Sequence, residues 1–491
     1  MYRAGRRGRL PEERGLALPA VLGVILILSI LGFAAAGLVQ NNLALGRLAG
    51  GQHIALACAE AGLHKYLWHL NKDSKYYEKN ESEKGPEEAR LGVDTPYRNG
   101  YYRLAVQVPT VERPVVTIYS TGWAADDPDN RCTLEVQVHK RQFVQQVFLT
   151  NAETFPNGEK VYWISGDVVR GPLHTNGSLY ISGSPEFFDR VTYGVSVELQ
   201  SGSRPVYHLG QPEKVAPLVF PASNSQLKTH ALYEGYYYSG RTCIWLQNGR
   251  LKIKNYQKQS NGTVLIKSEE RALPANGVVY VDGKSGSNVG KWDVEAGNVF
   301  ISGILDGRLT VAAANNIYIT GRDPTNPSYS NAAVTGGIKY ANEDFEPDGG
   351  LTDDLLGLVA NGYVQILHYD WPDDTPAGWW DNTAYYDPRG NVAPYDISVR
   401  GAIMAVGWGA FGFEEYDRGS PKGTINLVGS LVQKYRGAVG TFSGSSRLSG
   451  YNKDYSHDPR LTYDTPPHFL EPLNAGWELV GWRRVSAPPG G

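Results

Sequence analysis

The chain has 491 residues, too many for one ordinary domain and enough to bury two or three cores. Its 47 basic residues nearly balance its 50 acidic ones, and the first fifteen residues alone carry +3, which leaves −6 on the rest. A mildly acidic body lacks the basic face that phosphate backbones require, so nucleic acid is excluded as the expected partner. Abundant Gly and Tyr with only two Met indicate a β-rich rather than helical bulk.

Five arginines (Arg3, Arg6, Arg7, Arg9, Arg14) precede a charge-free run from Leu16 to Val39, 24 residues long. About 20 helical residues cross a bilayer core, so this run can span. The arginines flank its amino-terminal side, which places that end in the cytoplasm and the body outside. Three readings fit. Ala34-Ala35-Ala36 is a small-residue stretch of the kind found at signal cleavage sites, but the run exceeds the 7–15 residues of a signal core. A plain anchor needs only the span. The third reading uses both junctions: Arg14-Gly15 directly precedes the run, and the helical pattern continues beyond it. Leu56, Ala59, Leu63, Tyr66, Leu67 and Leu70 recur at helical spacing, so 16–70 reads as one rod of about 80 Å. Pro19 falls in the first turn, and Gly32 and Ala36 form a small face for close helix packing. Glu60, His53, His64 and His69 read as surface residues of that rod.

Arg14-Gly15-Leu16, the apolar run and Ala59-Glu60-Ala61-Gly62-Leu63 together resemble the type IV pilin and pseudopilin family, in its branch with a PilX-type amino terminus. The resemblance covers roughly residues 12–140. It implies cleavage by a prepilin peptidase between Gly15 and Leu16, retention in the membrane, and packing of the apolar half among other pilin-like subunits. The fifth mature position is Ala20, where major pilins carry glutamate, so the resemblance implies a minor or accessory subunit.

Residues 71–98 are charged and read as irregular. Alternating segments at Tyr102–Val108, Val116–Tyr119 and Cys132–Val138 then indicate an antiparallel sheet that buries the stripe of the rod, a pilin-like head over 71–155. From 156 to 485 the texture changes to short apolar strands separated by Gly or Asn, with Asn176, Asn316 and Asn361 at comparable points. This reads as a mainly-β, solenoid-like (β-helix) domain in which Gly and Asn take left-handed corners, with a β-sandwich as the alternative. Residues 196–275, with a short helix in Ser223–Tyr236 and strands in Thr242–Asn255, read as an insertion that breaks the pattern. Asp167-Val168-Val169-Arg170-Gly171-Pro172-Leu173-His174-Thr175-Asn176-Gly177 is similar to a segment of bacterial surface proteins of unassigned function. His457-Asp458-Pro459-Arg460-Leu461, Pro466-Pro467-His468-Phe469 and Trp482 resemble the ending of those proteins.

No catalytic pattern stands out. The Gly283-Lys284-Ser285 segment lacks the earlier glycine of a phosphate loop, since position 278 is Val278, and it reads as a turn. Acidic clusters such as Asp126-Asp127-Pro128-Asp129 and Asp353-Asp354 lack calcium-loop spacing and read as solvated turns. No metal ligand set or cofactor is expected. Cys132 and Cys243 permit a disulfide, with three buried thiols as the alternative. Trp371, Trp379 and Trp380, in a loop rich in Pro, Asp and Gly, suit either contact with a surface polysaccharide or capping of the strands. His174 alternates within a strand and reads as structural. The sequence therefore points to a non-enzymatic, membrane-inserted pilin-like component of a type IV pilus or related filament. The alternatives are a simply anchored surface adhesin and a polysaccharide-degrading β-helix enzyme.

Overall fold

The computed structural model describes residues 17–85, 87–110, 113–326, 332–342, 353–368, 392–443 and 446–488. Two compact units divide the chain. One comprises Met1–Val108, Val116–Val138 and Leu479–Gly491; the other comprises Pro109–Val115 and His139–Glu478.

The first unit holds a single helix, Ala17–Lys72, and a five-stranded sheet. Strands Thr95–Tyr97, Gly100–Gln107, Val116–Ala124 and Asp127–Lys140 pair antiparallel in chain order. The helix lies on the sheet through small residues. Ala55, Cys58, Ala59 and Gly62 follow one another at helical spacing, and the sheet answers with Gly100 and Gly122. A Cβ at Gly122 would overlap the Ala55 carbonyl and the Ala59 amide, and one at Gly62 would sit 2.6 Å from the Tyr102 ring. Glycine at these positions lets two backbones approach more closely than side chains allow.

The fifth strand, Trp477–Val485, comes from the far end of the chain and lies beside Asp127–Lys140. The β-rich body expected over 156–485 therefore ends earlier, because this strand completes the first sheet. Arg483 secures it, with Nε and Nη2 donating to the Glu135 carboxylate at 3.0 and 2.9 Å. In chain order, the second unit is thus an excursion between two strands of the first.

The second unit is built from parallel ladders. One contains ten strands, whose matched positions run Tyr237, Tyr280, Ala312, Val359, Met404, Val432, Leu149, His174, Thr192, Glu213. The second has nine, with Leu246, Gly303, Ile338, Val399, Leu427, Tyr455, Val169, Phe187 and Tyr207 in register. A shorter third ladder joins Thr242–Gln247, Val299–Leu305, Ile317–Ile319, Val364–Ile366 and Phe411–Phe413.

Alternation along the strands gives each ladder two faces. In the ten-strand ladder, Val279, Val311, Leu358, Ile403, Leu431, Phe148, Leu173 and Val191 face the main core. Tyr280, Ala312, Val359, Met404, Val432 and Leu149 face a second core, covered by helix Ser225–Tyr233 through Leu227 and Ala231 and by Leu461, Phe469 and Leu470. Burial on both faces explains why these strands read as continuous apolar runs. Strands Ile397–Ala405 and Pro421–Gln433 belong to two ladders each and change direction at the paired Gly401 and Gly429, whose φ angles are 142° and 155°.

The order of strands within the ladders is not the order of the chain. The chain begins in the middle, at Phe148–Thr150, and adds strands in one direction as far as Glu213–Lys214. It then passes through Ser225–Tyr233 to the opposite end, starts again at Tyr236–Ser239, and works back until Pro421–Gln433 meets Phe148–Thr150. Ser446–His457 meets Val168–Arg170 at the same junction. Three ion pairs cross it: Arg436 with Glu153, Arg170 with Asp454, and Lys453 with Asp167 at 3.0 Å.

Two sequence expectations are corrected here. Residues 196–275 do not leave the ladder pattern: Val197–Leu199, Val206–Tyr207, Glu213–Lys214, Tyr236–Ser239 and most of Thr242–Gln247 pair parallel within it. Arg250–Lys258 pairs antiparallel with both Thr242–Gln247 and Val264–Ala272, and it places Leu251 and Ile253 in the main core at one end. Nor do the recurring asparagines adopt left-handed backbone. Among described asparagines that is true of Asn248 alone (φ 52°). Asn298, Asn315, Asn316 and Asn361 instead link one turn to the next. Asn315 Nδ2 donates to Asn298 Oδ1 at 2.8 Å, the Tyr363 amide donates to Asn316 Oδ1 at 2.8 Å, and Asn361 Nδ2 donates to the Ala314 carbonyl at 3.3 Å. Their amides satisfy turn backbone that would otherwise be buried without partners.

Candidate functional site

The feature that most constrains function is the long helix, because its two halves live in different surroundings. From Leu18 to Leu48 every described large apolar side chain is exposed, Leu48 least at 48% and Phe33 most at 81%. It is the one helix among the described residues long and apolar enough to cross a membrane. From Gly51 onward the same helix is seated. Ala55, Cys58, Ala59, Leu63, Tyr66 and Leu70 are all at least 94% buried. A continuous exposed apolar surface of this extent on a water-soluble molecule is strongly unfavourable, at roughly 25 cal/mol per Å².

Gly32 and Ala36 lie in the exposed half, with nothing within 4 Å of a Cβ built on Gly32. Gly15 and Leu16 fall outside the described residues. Glu60, His53 and His64 are exposed, as expected of a helix surface. His69 is not: it is 9% exposed and stacks on Tyr76 at 4.7 Å, while Tyr66 meets the same ring edge-on at 5.4 Å. Tyr76 lies in the first of two short 3-10 turns, Tyr76–Glu78 and Glu81–Glu83, in the segment expected to be irregular. Burial lowers the His69 pKa and raises that of Tyr66. No pattern in the residues marks this cluster, since a histidine near a helix end suits solvent equally well.

Cys58, Cys132 and Cys243 are buried thiols, so the Cys132–Cys243 disulfide is not formed. Each sulfur is held within its own unit. Arg484 Nε donates to Cys132 Sγ at 3.0 Å, and Cys243 belongs to a small cluster with Phe300, Tyr318 and Leu367. In the same region Trp292 stacks on Phe300 at 4.7 Å and Phe300 on Tyr318 at 4.9 Å, an aromatic column along the outer face of the third ladder.

His174 is a structural residue. It is 2% exposed, and its ring nitrogens bond Thr192 Oγ1 and Asn176 Oδ1, each at 2.9 Å. The Gly283-Lys284-Ser285 segment bends away from strand Val278–Asp282, and Lys284 forms a parallel bridge with Ala296 and pairs with Glu295 at 2.7 Å and Asp293 at 3.5 Å. Asp353 pairs with Arg308 at 2.9 Å, and Asp354 accepts from backbone amides. Among the described residues no group of three or more His, Cys, Asp or Glu is placed to hold a metal. Trp371, Trp379 and Trp380 lie outside the described residues.

A family described as a domain of unknown function, DUF4900, matches residues 117–195. That stretch begins in the antiparallel sheet of the first unit and ends in the parallel strands of the second. No curated protein matches this chain. Among solved structures, the competence-associated pilin ComZ from Thermus thermophilus is similar at 12% identity with a TM-score of 0.29. The alignment covers 89% of this chain and 97% of that one. At that TM-score neither fold nor function is carried from it.

Proposed function

We propose that this chain is a membrane-inserted, pilin-like subunit of the minor or accessory kind, acting without catalysis in a type IV pilus or related filament. One observation carries the reading: a single unbroken helix passes from a fully exposed apolar half to a half seated on an antiparallel sheet. A plain anchor accounts for the first half. A helix that is continuous with the core of its own head also transmits the head's position to whatever the apolar half packs against. The parallel ladders then form a solenoid, presented outside the membrane by insertion between two strands of the head. Its stacked asparagines and aromatics support that reading.

The assembly step follows from charge. Five arginines beside the apolar run keep it from moving into a bundle of similar helices, because each charge would lose its hydration there. Cleavage between Gly15 and Leu16 by a prepilin peptidase removes all five. The test is amino-terminal sequencing of the protein from its own cells, beside a Gly15→Ala variant. Mature chains beginning at Leu16, with the variant retained at full length, support the proposal. Wild-type chains that keep Met1 reduce the protein to an anchored surface protein, and chains beginning near Gly37 remove the rod altogether.

A further inference from the structure

One core-facing column of the second unit changes chemistry where the late strands meet the early ones. Ile397, Ile425 and Lys453 hold matched positions on successive strands, and Asp167 directly precedes Val168, the partner of Asp454, so it falls beside Lys453. Ile397 and Ile425 lie in the main core, as do Tyr451 and Tyr455, two residues to either side of Lys453. Alternation therefore turns the Lys453 side chain inward with them. Its Nζ donates to Asp167 Oδ1 at 3.0 Å and Oδ2 at 3.2 Å, and lies 5.6 Å from the centre of the buried Trp163 ring. The two side chains are only 16% and 8% exposed. Asp167 Oδ2 also accepts from the Ile164 amide at 3.1 Å. As ions, the pair bears a desolvation cost that its mutual attraction offsets only in part, whereas an amide made from the same two groups carries no charge. Burial lowers the Lys453 pKa against the opposing pull of Asp167, and the nearby Arg436 charge adds to the lowering, which favours the free, nucleophilic amine.

We propose that Lys453 and Asp167 join in an intramolecular isopeptide bond, a covalent clasp between the early and late strand series. The ammonium first passes a proton to Asp167 Oδ1 across the 3.0 Å hydrogen bond. The Nζ lone pair then attacks Asp167 Cγ, and the charge that develops on Oδ2 is held by the Ile164 amide. The Cγ–Oδ1 bond breaks, and Oδ1 leaves as water with the proton it gained and a second one from Nζ. Ammonium and carboxylate thus give one amide and one water, with no oxidant, reductant or activating group. Holding both groups in contact supplies the effective concentration that free amines and carboxylates lack, and the apolar surroundings oppose the return of water. The bond closes a span of 286 residues and stands whether or not the chain enters a filament.

The experiment is mass spectrometry of tryptic peptides from the full chain purified from its own cells, beside a Lys453→Arg variant. Arginine keeps the positive charge next to Asp167 but has no amine to acylate. In the wild type, trypsin should fail to cut after Lys453. The expected product is a branched peptide joining Val161–Arg170 to Leu448–Arg460, about 18 Da lighter than the sum of the two. On a denaturing gel the wild type, closed into a loop, should migrate faster than Lys453→Arg, and the variant should release Val161–Arg170 as a linear peptide. The branched peptide as the major form of Asp167 supports the proposal. Linear Val161–Arg170 and Leu448–Lys453 as the major wild-type products overturn it, and so does identical gel migration of wild type and variant.

Discussion

The junction at which the late strands return to the early ones makes a quantitative test of the second unit. Arg436 and Glu153 are 283 residues apart in sequence and paired there, with side chains 2% and 0% exposed. The guanidinium lies 4.0 Å from the Trp163 ring centre and 4.9 Å from that of Phe148, and Glu153 also accepts from Trp163 Nε1 at 3.0 Å and from Thr150. Arg436→Met preserves most of the packing volume but strands the carboxylate, a change that costs about 3–5 kcal/mol in buried pairs. Glu153→Gln strands the guanidinium and costs a similar amount. In the double variant neither charge remains, while the glutamine oxygen still accepts from the indole. Its loss should therefore be smaller than either single loss, about 2 kcal/mol, mostly from the forfeited cation–ring contacts. Hydrogen exchange followed by mass spectrometry reads this locally, in peptides covering Phe148–Thr150 and Pro421–Gln433, where global unfolding of a two-unit chain is not a single transition. Protection should drop by a factor of at least 100 in each single variant and partly return in the double. If the losses simply add, the pair does not hold this junction, and the reading of two strand series closed by buried charge is wrong.

Two further outcomes follow from the same structure. Gly122→Val forces a branched side chain into the Ala55 and Ala59 backbone, so the helix must lift from the sheet; the expected cost is at least 2 kcal/mol, seen as protease cleavage within 51–72, while Gly92→Ala, with nothing within 4 Å, should leave that region protected despite its own backbone strain. Burial depresses the His368 pKa to about 4, against 6.5 for an exposed imidazole. The unfolded chain then takes up this proton more readily than the folded one, so stability is fully present above pH 6.5 and falls as pH drops towards 4. The loss reaches about 3 kcal/mol at 1.36 kcal/mol per pH unit. Urea midpoints measured from pH 7 to pH 4 should decline accordingly, and His368→Gln should flatten part of that slope; a variant with the wild-type slope would assign the acid sensitivity elsewhere.

What was legible in the sequence is what local physics writes there. The rod follows from its apolar stripe, and three of the head strands follow from alternation, because each pattern is set by neighbours within a few residues. The short apolar strands were visible for the same reason. Their order was not. Nothing near Phe148 says that its parallel partner is Leu431, or that the chain jumps from Glu213–Lys214 to the far end before working back. Such pairing depends on shape and on charges hundreds of residues away. The last strand escaped notice because its burial is shallow, with most of Trp477–Val485 exposed, so no apolar face marks its membership of the first sheet. Arg484 was missed with it.

That arrangement also has a consequence for assembly. The first sheet lacks its fifth strand until residue 485 has been made, so the sheet that carries the helix is completed only after the whole second unit has emerged. On the proposed reading, a rod that enters the membrane at the start of synthesis waits there for a head whose final strand arrives last. Under the proposed function this ordering is useful. A chain with an unfinished body lacks the Arg483–Glu135 closure, and its sheet ends at strand Asp127–Lys140. Such a chain is a weaker candidate for packing among subunits, because the edge of its sheet beside Asp127–Lys140 is unpaired. The position of the insertion within the sheet thus couples completion of the body to closure of the sheet edge.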